Sequence, residues 1–311
     1  MFPGMPYSRA VMSVADDELL LRHREYEAVV TPVAAGLRVL RHQGRDLVVP
    51  YEAGSVRPYY RGATIAPWPN RVVDGRYELG GTVHQLALTE PARGHALHGL
   101  VSWTRFDLVQ HDDSTARWTH RIVPQDGYPF DVELDVSYIL GAEGLTWSVT
   151  ARNHGQDPAP YGVCPHPYLT PGSGRVDDWE LTLPAAQVLE VTPDRLIPRG
   201  RTEASGGRYD FRTRRRIGDA EVDHAFTGLD GGDVAVTVRG ADGREVVLRW
   251  DAEVMPWVQL HTADVPGSPH HRVGLAVEPM TCPPDAFNSG EDLVVLQPQQ
   301  THTASWAIGA G

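Results

Sequence analysis

The chain has 311 residues, 28 basic against 40 acidic, and a formal net charge of −12. All 28 basic residues are arginine, which excludes pyridoxal-phosphate and lysine-aldolase chemistry, lysine-containing phosphate loops and kinases with a strand lysine. The acidic balance argues against a nucleic-acid partner, and no apolar run is long enough to span a membrane.

Two cysteines, Cys164 and Cys282, make neither a disulfide framework nor a cysteine-rich zinc site. Asp16, Asp17 and Glu18 stand where a secretory signal would be apolar, so the expected location is cytoplasmic. With 31 glycines and 25 prolines, the chain suits many short strands better than long helices. The best helical stretch is Asp17 to Arg24, and it is short. Tyr77 to Leu79, a Gly80-Gly81 turn and Thr82 to His84 predict a hairpin.

Further along, Ala116, Trp118, His120 and Ile122 share one face of a strand. From Asp131, the residues Val132, Leu134, Val136, Tyr138 and Leu140 alternate with polar neighbours. After a Gly-Ala-Glu-Gly turn, Leu145, Trp147, Val149 and Ala151 do the same, which predicts a half-buried antiparallel hairpin. The cluster Arg212, Arg214, Arg215 and Arg216 reads as a solvated turn. Strands are also expected from Val234, Glu245, Pro256, Arg272 and His302. No linker, repeat or low-complexity segment interrupts this pattern. The expectation is one all-β domain over 1–311, a large antiparallel β-sandwich.

Polar residues gather in short segments bounded by proline and glycine. Glu278 ends an apolar strand, on the face of Gly274 and Ala276, while Val273, Leu275 and Val277 point the other way. A carboxylate above small residues leaves room for a ligand; an edge carboxylate paired with arginine is the plain alternative. His166 lies between two prolines that stiffen its backbone, and Gly99 after His98 permits close backbone approach. Spacing disfavours a metal. His-Glu-x-x-His is absent, and His95 and His98, three apart on a strand, face opposite ways, as the neighbours His270 and His271 do. Cys164 is read as structural.

Taken in order, these segments resemble the aldose 1-epimerase (mutarotase) family over effectively the whole chain. The resemblance rests on Asn70-Arg71, His98-Gly99, His166 before Tyr168, Asp223-His224, Gln259 before Thr262, and Leu275 to Pro279 followed by Pro284 to Asn288. It implies an antiparallel β-sandwich and an isomerase that interconverts the α- and β-anomers of a hexose. It also implies Glu278 as catalytic base, His166 as catalytic acid and His98 near the ring oxygen. Arg71, Asp223 and Gln259 would hold the sugar hydroxyls, with Asn70 in support. Neither metal nor cofactor is implied, and the partner is a small aldose. Trp68 and Trp257 are added from residue type as stacking walls, with a place in the core as the plain alternative for either.

The family commonly has Asn before this histidine and an aromatic-Asn pair after it. The sequence Pro165-His166-Pro167-Tyr168-Leu169 departs from that and points to a bacterial branch acting on glucose-like or substituted aldoses rather than galactose alone. The residue types suit the chemistry: one group removes the C1 hydroxyl proton, another protonates the ring oxygen, and the opened chain rotates and recloses. Two alternatives are an epimerase of hexose 6-phosphates or other anionic sugars and a non-catalytic sugar-binding sandwich. A glycoside hydrolase using Asp223 and Glu278 would leave the histidines without a role. Oligomeric state is not legible.

Overall fold

A computed structural model describes residues 17–311, so Asp16 and the rest of 1–16 lie outside the described residues. The fold is all-β and antiparallel. A nine-stranded sheet runs in the order Asp107–His111, Thr115–Ile122, Val132–Gly141, Gly144–Asn153, Thr301–Ala310, Glu245–Asp251, Asp233–Arg239, Glu180–Thr182, Arg215–Arg216. A six-stranded sheet runs Tyr168–Leu169, Leu275–Met280, Trp257–His261, Asp223–Leu229, Ala185–Val191, Pro198–Glu203.

The alternation read from sequence becomes the core. Val132, Leu134, Val136 and Tyr138 are fully buried, and so are Leu145, Trp147, Val149 and Ala151 on the partner strand. They meet Phe226, Val258, Leu260, Leu275 and Val277 of the six-stranded sheet in one apolar cluster. Each such side chain taken from water contributes roughly 1.5–3 kcal/mol. The hairpin over Arg76–Leu79 and Thr82–Gln85 forms as its turn signal predicts.

Two local expectations are corrected. The helical stretch at Asp17 to Arg24 is instead the strand Leu19–His23, paired with Tyr26–Thr31 through a tight turn with Arg24 in the left-handed region. Pairing in a four-stranded sheet and burial of Leu21 override a weak helical period. The arginine cluster is solvated, but Arg215–Arg216 is a short edge strand rather than a turn, and Arg212, Arg214 and Arg216 pair with Asp210, Glu245 and Asp178.

Candidate active site

The outer face of the six-stranded sheet carries polar side chains in a checkerboard. Gln259 is registered against Glu278 on one side and Ala225 on the other, while His261 lies between Asp223 and Ala276. A strand places every second residue on one face, so Asp223, Gln259, His261 and Glu278 project together and the two alanines leave space above the sheet. Glu278 therefore stands on the face its parity predicts, with Leu275 and Val277 in the core beneath.

Two other segments bring the remaining groups over this face. Arg71 begins a short strand paired with His95–Leu97, and the N–H of His98 donates to the Asn70 carbonyl at 2.8 Å. Both Asn70 and His98 adopt left-handed backbone conformations, which turn their side chains out of the strand line. A Cβ on Gly99 would come within 2.0 Å of the Ala66 carbonyl oxygen, so the close approach expected there is real. His166 is fixed from both sides: its N–H donates to Ala63 and its carbonyl accepts from Gly62.

The result is a cavity of about 280 Å³. It is lined by all seven residues singled out from the sequence, Asn70, Arg71, His98, His166, Asp223, Gln259 and Glu278. The Nε2 of His166 lies 3.3 Å from Oε1 of Glu278, and both side chains are almost fully buried. The His98 ring meets the His166 ring edge-on at 5.0 Å. Gln259 donates to Asp223 at 2.6 Å, and Arg71 grips Glu90 through two hydrogen bonds of 2.7 and 3.0 Å.

The two carboxylates of the sheet face opposite environments. Burial pushes Glu278 well above the usual carboxylate range, and the charge of Asp223 adds to this against the opposing pull of Arg71. Burial also acts on Asp223, but His261, Arg71 and the Gln259 hydrogen bond outweigh it and hold Asp223 low. Burial drives His166 down to about 3 and His98 well below the usual imidazole value. Burial thus disfavours charge on both members of the His166–Glu278 pair.

Several other expectations change. Trp68 and Trp257 line no part of this cavity: both are buried, with their indole N–H groups on the Ala96 carbonyl and on Asp292. Large indoles with a partner for the N–H serve the core, and the aromatic walls are Tyr59, Tyr60 and Tyr168 instead. The Tyr60 ring sits 4.7 Å from His98, and Tyr168 stacks on His166 at 5.4 Å. Glu90, Arg93 and Asp264 also line the cavity, and no periodicity marks them in the sequence. Cys164 is buried but not remote, with its Sγ 4.0 Å from Oε2 of Glu278.

His95 and His98 do diverge: His95 is held by the Arg195 carbonyl and the Asp74 N–H. Yet the spacing argument against metal misses one set. His98, His166 and Glu278 each present a donor atom within 4.8 Å of the others, although they come from three distant segments.

Comparison with known proteins gives a consistent picture. The family description "Aldose 1-epimerase" matches residues 17–309. The chain is 35% identical over 280 residues to the uncharacterized protein YihR of Escherichia coli K12, covering 89% of this chain and 88% of that one. It is 27% identical over 191 residues to the galactose mutarotase of Mus musculus, covering 56% of this chain and 51% of that one. Among solved structures, a GalM/aldose epimerase homologue from C. elegans superposes with a TM-score of 0.83 at 18% identity, over 94% of this chain and 98% of that one.

Proposed function

The chain belongs to the aldose 1-epimerase family, and from that premise we propose that it interconverts the α- and β-anomers of a free hexose, as one domain over 1–311. The observation that carries this is the buried His166–Glu278 contact of 3.3 Å, opening into a cavity with hydroxyl-binding groups around it.

Anomer exchange needs a proton taken from the C1 hydroxyl and one given to the ring oxygen. The two transfers cancel, so the site must hold one proton and keep it through the cycle. A closely coupled carboxyl–imidazole pair with one proton fits that count. When the sugar binds, the shared proton passes to His166; Glu278 then accepts the C1 hydroxyl proton as the ring oxygen takes the one on His166. The C1–O5 bond breaks to give the open aldehyde, the C1–C2 bond rotates, and reclosure reverses the transfers on the other face.

His98 sits against His166 and is held neutral, so it offers a hydrogen bond toward the ring oxygen without charge repulsion. The fixed anion Asp223, with Gln259, and the guanidinium of Arg71, held by Glu90, orient the hydroxyls, and Asn70 steadies Arg71 through a 3.2 Å hydrogen bond. The tyrosine rings present apolar faces to the sugar ring.

Polarimetry or exchange NMR on freshly dissolved sugar measures the reaction. Purified protein accelerates equilibration over the spontaneous rate, and a panel of glucose, galactose and 6-substituted anionic sugars ranks substrates by that acceleration. Absence of acceleration for every aldose in the panel refutes the proposal.

A further inference from the structure

The separation of His166 Nε2 and Glu278 Oε1, 3.3 Å, also matches the edge of a tetrahedron whose donors stand about 2.0–2.1 Å from a central zinc ion. His98 supplies a third donor within 4.8 Å of both, so a modest turn of its side chain completes three ligands. All three residues line the cavity. Imidazole donors select zinc, cobalt, nickel and copper over magnesium and calcium, which prefer sites made entirely of oxygen.

The surroundings decide whether such an ion would be resident or transient. Histidines of permanent sites donate their second ring nitrogen to a carboxylate or carbonyl, which fixes the ring. Here Nδ1 of His98 and Nδ1 of His166 are both buried and have no partner among the described residues. That missing support lowers affinity and favours exchange. The same three side chains are those that would face the anomeric centre.

We propose that His98, His166 and Glu278 bind a divalent transition-metal ion of the zinc type reversibly, and that the bound ion excludes the aldose. The second half rests on the sugar-binding reading above; the first half does not.

The full-length protein, freed of metal by chelation, is titrated with Co2+ by visible absorption and with Zn2+ by calorimetry. One equivalent is expected, with the intense ligand-field bands of four-coordinate Co2+, while Mg2+ and Ca2+ give no heat. Glu278→Gln and His166→Asn each weaken Co2+ binding at least ~10-fold. The double variant His270→Asn/His271→Asn, which removes two histidines that do not line the cavity, leaves binding unchanged. The wild-type competition keeps the test independent of whether the buried variants fold: the aldose that ranks highest by equilibrium binding displaces Co2+ and bleaches its bands.

A featureless Co2+ titration overturns the site, and so does binding that survives both the Glu278 and His166 variants or is lost in the His270→Asn/His271→Asn variant. Co2+ and sugar bound together overturn the exclusion. Tight Co2+ binding by a protein that accelerates no anomer exchange upholds the site and refutes the enzymatic reading instead.

Discussion

The two faces of the six-stranded sheet use the same strands for opposite ends. Inward, Phe226, Val258, Leu260, Leu275 and Val277 are completely buried among other apolar groups. Outward, Asp223, Gln259, His261 and Glu278 alternate with them one residue at a time. Those five inward side chains carry no polar atom that needs a partner. On the outer side, the Oε1 of Gln259 and the Nδ1 atoms of His98, His166 and His261 are buried without a hydrogen-bond partner among the described residues. Each such group costs about 1–3 kcal/mol in the ligand-free protein. A face that carries this cost repays it only when something polar fills the cavity, so alternate residues of one strand divide stability from function.

Substitutions can break that division. The largest expected effect is Glu278→Gln, which removes the proposed proton acceptor without changing size. Turnover in polarimetry falls about 10²–10⁴-fold, the range of a general base, while the thermal midpoint holds or rises because a poorly supported buried carboxyl is gone. A midpoint several degrees lower would place Glu278 among the structural residues. On the inner face, Leu275→Ala one strand turn away costs about 2–5 kcal/mol in a denaturant titration. Turnover of its folded fraction stays near wild type, and a comparable loss of turnover would show that the two faces are not separable.

The pH profile sharpens the comparison further. The proposed reaction needs one proton on the His166–Glu278 pair. As pH falls, the pair gains a second proton only when His166, pushed to about 3, is protonated; as pH rises, the single proton leaves with the raised Glu278. The rate plateau therefore extends to the acid side well below 6.5, the ordinary imidazole value. A half-rate point near 6.5 on the acid limb would refute the coupling. The smallest effect is that of Cys164→Ser. A hydroxyl donates a stronger hydrogen bond than a thiol to Oε2 of Glu278 and lowers its basicity, so turnover falls a few-fold and the alkaline limb moves to lower pH.

Much of this was legible in the sequence, and for a physical reason. Period-two alternation is imposed by the strand itself, so the hairpin of Val132–Gly141 and Gly144–Asn153 and the parity of Glu278 could be read directly. The seven site residues were reached through family resemblance, and the structure brings all seven to one cavity. Convergence from separate segments has no local signal. Nothing in the spacing of His98, His166 and Glu278 announces that they meet, and the metal argument failed there because it looked for ligands on one element. Glu90 is invisible for the same cause: its role is to hold Arg71, nineteen residues earlier. Trp68 and Trp257 misled because an aromatic near a polar motif is as well suited to core as to a sugar wall.

The position of Thr301–Ala310 in the nine-stranded sheet bears on how the protein is made. That strand pairs with Gly144–Asn153 on one side and Glu245–Asp251 on the other, and it is the seam through which the earlier and later strands of the sheet are joined. Until it emerges, both neighbours are unprotected edges, and Leu145, Arg152 and their row wait for partners some 150 positions further on. Closing so distant a pairing is slow, and exposed edges invite pairing with other chains. During synthesis, the nascent chain therefore presents two sticky half-sheets to a chaperone or to its neighbours, and insertion of a single ten-residue strand ends that exposure.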